Sequence, residues 1–335
     1  KFVNADSFKG FTSDEKIKRR TQLVQIWDEI ENQLNNPKFW AFISNVPITR
    51  YSNKIEYLFD IITSKKPGEK DLHFSFVNFF EPKESADSLW NKWMDVEELY
   101  RALSFWFTDK TFYHKIGFLI AVGTSIKTLV DLRKDHTKNS FEAEIDRLIG
   151  ASIHPRWDEL SYEKPSQHHD MVKTLLLTNI ELILKNKHSH EFFPFEEYKS
   201  ITKSLEHIHA QNIDGINQNN KAEWKLWLNA HIAILPQVSD QIEKVQKLVA
   251  EINELDVDDR NYKFEDFKKH SNRVLELIPV DEINEGEFLH RIENMALLGL
   301  NENISLSNSV FEVKRRKIIA LDKEGAFIPQ ATKRV

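Results

Sequence analysis

The chain has 335 residues, 41% of them hydrophobic and 29% charged, with a formal net charge of −6. That leaves room for a sizeable core and two domains, and it argues against nucleic-acid attraction over the whole surface, because nonspecific affinity comes from Lys and Arg neutralising phosphates. Absence of cysteine excludes a disulfide framework and a thiolate metal site, and neither an apolar run near ~20 residues nor a signal-peptide plan is seen; the reading is cytoplasmic, with no membrane partner.

In chain order, Ile17, Leu23, Ile26, Trp27, Ile30 and Leu34 recur mostly at three and four over 14–36, which predicts a long helix with one buried face and Ser13 as its cap. Residues 39–43 and 55–62 read as short buried segments. Residues 63–70 carry Pro67-Gly68 and read as a loop, with Lys65 and Lys66 as solvated side chains rather than phosphate ligands. The run 88–107 holds Trp90, Trp93, Tyr100 and Trp106 at helical spacing, a core pattern rather than a base-stacking one. One apolar helix is predicted over 112–132, with Gly123 allowing close packing. Helices over 140–149 and 171–184 complete a helical array, with His168, His169 and Asp170 at a helix start. His188 and His190 lie in a polar linker, and the texture changes around Phe192-Phe193-Pro194-Phe195, so a domain boundary is placed near His188.

Beyond it, Ser204 to Asn212 contains Glu206-His207-Ile208-His209. Imidazole is the side chain able to take a proton from water near pH 7, which makes His207 a candidate general base. Glu206 and Asn303 offer hard oxygen ligands for a divalent cation. In a regular strand Glu206 and His207 face opposite ways, whereas His207 and His209 share a face. A His-x-His zinc arrangement with one carboxylate therefore stands as a rival, and structural or exposed histidines are the ordinary alternative. Residues 222–235, 239–255 and 264–278 read as helices. From Ser309 to Val335 seven Lys and Arg face three Asp and Glu, a local basic patch with Lys314, Arg315, Arg316 and Lys317 on one helix.

Glu206-His207-Ile208 with Gln211, then Ile292-x-Asn294 with Leu297-Leu298, then Asn303, Asn308, Phe311 and Lys314-Arg315, together resemble the carboxy-terminal nuclease module of the DGQQR/HNH family, which includes GmrSD-like modification-dependent restriction enzymes. The earlier helical part, with Glu29 to Asn32, Phe39-Trp40 and residues 50–62, is also similar to that family's middle region. The resemblance implies a mainly α chain: a helical domain over 1–188, then an α+β ββα-metal (HNH-like) nuclease domain over 189–335 with a helical insertion at about 222–280. It implies His207 as base, Glu206 and Asn303 as ligands of Mg²⁺ or another divalent cation such as Mn²⁺, with Zn²⁺ less favoured, and Asn294 as a catalytic-site residue bracing the loop. Asn308 and His209 are weaker metal candidates.

The implied activity is metal-dependent cleavage of foreign or modified DNA, with DNA as partner through Lys314, Arg315, Arg316 and Lys317. Ala210 departs from the proline many relatives carry, and no Asp-Gly-Gln-Gln-Arg segment is present. The expectation is a fragment whose DGQQR-type domain or partner protein, and any nucleotide use, lie outside it; a homo-oligomer is left open. The alternatives are a catalytically inactive HNH-fold module that binds DNA or protein, and a metal hydrolase of small phosphoesters working through His207 and His209.

Overall fold

The computed structural model describes residues 8, 10–66, 68–71, 73–80, 85–209, 216–279, 288–306 and 309–334, with the backbone alone for 304–306. The chain is mainly α-helical and divides into two compact units, 1–152 with 183–200 and 153–182 with 201–335. Rather than meeting at one cut near His188, the units interleave along the chain, and the division after Leu182 falls inside one unbroken helix, where no change of composition marks it.

In the first unit, α1 (Ser13–Leu34) starts one residue earlier than a Ser13 cap requires: Thr12 is the cap, and it exchanges hydrogen bonds with Glu15 in a capping box. Next come α2 (Pro37–Ile43), α3 (Glu56–Ile62), α4 (Phe74–Phe79) and α5 (Ala86–Thr108). The aromatic stripe of α5 is mostly core, with Trp93 and Trp106 fully buried and Trp93 stacked on Trp27 at 6.0 Å. The helix expected over 112–132 is two, α6 (Lys110–Ala121) and α7 (Ile126–Lys134). Gly123 has φ +107° with nothing close to a Cβ built on it, so it turns the chain after α6 rather than allowing close packing. The tight approach is at Gly117, where a Cβ would lie 2.1 Å from the Phe195 ring. α8 (Lys138–Ser152) completes this part.

α9 (His168–Lys185) begins at His168 with Asp170 in its first turn, and belongs to the second unit through Leu182. The chain then returns to the first unit with α10 (Phe195–Ser200), where His188 and His190 are exposed. His114 on α6 gives its Nδ1 proton to Lys110 O at 2.7 Å and accepts the Phe193 N–H at Nε2, 3.0 Å away.

The second unit is built on β1 (Lys203–His207), followed by α11 (Lys221–Ile232), α12 (Leu235–Val238), α13 (Ile242–Asn253) and α14 (Phe264–Glu276), and then β2 (Met295–Gly299). The strands pair antiparallel, from Lys203 opposite Gly299 to His207 opposite Met295. Every residue of β2 is buried, so its sequence shows no alternation. α15 (Leu300–Leu306) follows without a break, then α16 (Phe311–Lys323) and α17 (Gln330–Lys333).

The insertion has a core of its own, in which Trp224, Trp227, Val245, Leu248 and Phe267 pack together. It also sets the start of α16. Ile234 packs with Val310 and Val313, and the buried His231 gives its Nδ1 proton to Trp227 O at 2.7 Å while accepting the Val310 N–H at 3.2 Å.

Candidate functional site

The site is assembled where β1 ends. His207 is the last residue of that strand, and beyond it Ile208 N–H donates to Asn294 O at 2.8 Å. Asn294 is buried, and its amide holds the loop from both sides: Oδ1 accepts the His209 N–H at 2.9 Å, while Nδ2 donates to His209 O at 3.0 Å and to Leu289 O at 2.8 Å. With its polar atoms so engaged, Asn294 shapes the backbone around His207 rather than offering a group to a substrate.

His207 is half-buried. Its Nε2 lies 3.3 Å from His290 Nδ1, and its ring meets those of Tyr162 at 4.7 Å and His290 at 5.3 Å, both edge-on. Burial first, then repulsion from the Lys314 ammonium and from whatever charge His290 takes on when it is protonated, lower its pKa to about 4, which keeps the imidazole neutral at pH 7. His290, Tyr162 and Glu163 carry no signal in the sequence that marks them as neighbours of His207. His290 stands only four residues before Asn294, but carries no spacing of its own. Tyr162 and Glu163 sit in a stretch assigned to the helical domain; the fold delivers them through the bridge between Ser161 and Arg291 and the Tyr162 N–H to His290 O bond of 2.7 Å.

Glu206 faces away from His207, as strand alternation requires, and is met by Lys314. The ammonium lies 2.5 Å from Glu206 Oε1 and also donates to His207 O at 2.7 Å, with the Lys314 side chain 4% exposed. Burial pushes the Glu206 carboxyl up and the Lys314 ammonium down, and each opposes the other's shift. Lys314 is therefore not on the exposed basic face expected of it. Its length lets the chain reach back from α16 to the strand, a contact that helix spacing alone does not show.

The rest of that face is mixed. Arg315 is exposed beside Glu312, Arg316 pairs with Glu312 at 3.1 Å and with Gln237, and burial lowers the pKa of a half-buried Lys317. A pocket in this unit is lined by both Glu206 and His207, with the apolar Phe311 and Ile318, the buried Lys314 and, as its basic rim, the exposed Arg315 and Arg334.

Asn303 lies on α15 against β1, its Nδ2 donating to Ser204 Oγ at 2.6 Å and Leu205 O at 3.2 Å, which leaves Oδ1 as the atom it could offer a cation. His209 is stacked on Phe311 at 4.9 Å. The strand ends at His207, so alternation does not carry on to His209, and the two rings meet different neighbours instead of converging as a zinc pair. Ala210 and Asn308 lie outside the described residues. Among the described residues no three His, Asp or Glu side chains form a metal-holding group. What Glu206 and Asn303 provide fits, in kind, a hard divalent ion that keeps most of its waters, with Lys314 as competitor for the carboxylate.

Comparison with protein-family models, with curated proteins and with solved structures gives no match.

Proposed function

We propose that the second unit is a metal-dependent DNA endonuclease module of the ββα type, with His207 as general base. The observation that carries this reading is the sequence β1, β2, α15, in which a neutral, half-buried histidine ends the first strand and Asn303 of the helix docks beside the carboxylate-bearing strand. His207 takes a proton from water, the water oxygen forms its bond to phosphorus, and the bond to the departing oxygen breaks. Lys314 holds the His207 carbonyl, and Asn294 holds the loop after it, so the imidazole keeps its place. Glu206 and Asn303 would bind Mg²⁺ or a similar cation, with the Lys314 ammonium giving way at Glu206. When bound, the ion supplies charge compensation at the phosphate and the departing oxygen. Arg315 and Arg334, with Arg316 and Lys317 further along, would meet the DNA backbone. Restriction of foreign DNA, governed by a DGQQR-type domain or partner, is the biological role this reading implies.

The Lys314–Glu206 pair favours one alternative, a nuclease fold in which the ammonium has replaced the ion and the module only binds. Nicking of supercoiled plasmid separates the two. Under the nuclease reading Mg²⁺ or Mn²⁺ supports nicking, chelator stops it, and His207→Ala lowers the rate by about 10²–10⁴ while leaving folding and DNA affinity in place. Equal rates in mutant and parent would remove His207 from the chemistry. Binding without cleavage under every metal condition would favour the inactive module.

A further inference from the structure

His207 and His290 face each other through single nitrogens, His207 Nε2 and His290 Nδ1, 3.3 Å apart. On the far side of His290, Nε2 lies 3.7 Å from Glu163 Oε1. Two neutral imidazoles joined in this way need one donor and one acceptor. A carboxylate accepts only, so Glu163 favours the proton on His290 Nε2 and leaves His290 Nδ1 as the acceptor. His207 must then carry its proton on Nε2, and its Nδ1 is left bare. The edge-on Tyr162 ring limits rotation of the His207 ring, while the Ser161–Arg291 bridge brings Glu163 and His290 together. Tyr162 is itself held: His168 Nε2 donates to its carbonyl at 2.7 Å and the two rings stack at 4.6 Å.

We infer that His290, oriented by Glu163, is a positioning residue that sets the tautomer of His207 so that Nδ1 is the atom that takes the proton from water. The role in catalysis rests on the nuclease reading; the tautomer does not. Glu163 is largely exposed, with 68% of its side chain accessible, so water competes for it, and most of the effect belongs to His290.

The full chain, ¹⁵N-labelled at histidine, is read by long-range ¹H–¹⁵N correlation near neutral pH, with His207→Ala assigning the resonances. The parent is expected to show His207 as the single Nε2–H form. His290→Leu is expected to give averaged His207 nitrogens and to lower kcat for plasmid nicking at least about tenfold with KM little changed. His290→Asn, whose amide oxygen keeps an acceptor toward His207, is expected to recover both, and it serves as the test should the Leu variant not fold. A His207 Nδ1–H form in the parent would overturn the proposal, as would an unchanged single tautomer in His290→Leu. Zinc retained one-to-one and lost with His290 would also overturn it, since two ligands of one tetrahedral ion sit at a similar nitrogen separation. If the tautomer follows His290 while the parent never nicks DNA, the nuclease reading fails and His290 is left setting the His207 tautomer without a catalytic role. If nicking needs His207 but its tautomer ignores His290, the reverse holds.

Discussion

Lys314 and Glu206 form an ion pair withdrawn from water, so each half depends on the other. Lys314→Met leaves a buried carboxylate without its partner and is expected to cost about 3–5 kcal/mol of stability. Adding Glu206→Gln should recover a large part of that, and urea unfolding of the four species in a double-mutant cycle measures the coupling; additive losses would mean the two groups do not support each other. Arg315 belongs to a different class. It is exposed, and its contact with Glu312 is long, so Arg315→Ala should leave stability within about 0.5 kcal/mol. If the basic rim meets phosphate, the same change should reduce the slope of DNA affinity against salt by about 1. Asn294→Ala removes three hydrogen bonds of a buried amide and is expected to cost about 1–3 kcal/mol. Under the nuclease reading, its nicking rate should fall even under conditions where folding is complete, because the loop after His207 loses its brace.

The start of α16 owes its placement to a histidine acting as a backbone acceptor. His231 on α11 takes the N–H of Val310, the residue before α16, and α16 carries Lys314 back to β1. The insertion, with its own aromatic core, thus positions one end of the helix that completes the site. His231→Leu leaves the Val310 N–H without that acceptor and is expected to destabilise by about 1–3 kcal/mol, read as a lower urea midpoint. Helix positions were legible in the sequence because their signals are local: the three-and-four spacing of α1 and α13 follows from 3.6 residues per turn. The split between α6 and α7 was not, since the apolar pattern continues through Gly123 and only its positive φ ends the helix. Likewise Gly117 is uninformative as a letter, and its value lies in the Phe195 ring that arrives from 78 residues away along the chain.

Each of the two units buries one neutral histidine, His114 and His231, and burial lowers both pKa values to about 4. Each ring must be neutral at Nε2 to accept its backbone N–H, whereas in the unfolded chain it titrates near 6.5. Between those values the unfolded state binds more protons, so the stability these groups confer is present above pH 6.5 and is lost as the pH falls toward 4. The loss is at most about 3 kcal/mol for each group. Urea unfolding from pH 7.5 to 4.5 should show stability falling with acid, and a variant with Gln at both positions should lose that part of the slope. The chain as a whole is acidic, so under the nuclease reading attraction to DNA is expected to be local, at the exposed Arg315 and Arg334.

The sequence by itself determined the helical character of the chain, part of the buried faces of α1 and α13 (Leu23, Ile30 and Leu34; Val245, Leu248 and Ile252), though Ile17 and Ile242 at the helix starts are exposed, and the candidate status of Glu206, His207, Asn294 and Asn303. Those follow from periodicity, from side-chain chemistry and from a motif resemblance, all carried by residues near one another or by letters alone. Tertiary structure decided the neighbours. Interleaving of the two units brings Tyr162 and Glu163 to His207, β1–β2 pairing spans the whole insertion, and a lysine read as a phosphate contact is buried against Glu206. Such pairings depend on which surfaces the folded chain closes together, and no local spacing encodes a contact between residues 45 or 108 positions apart.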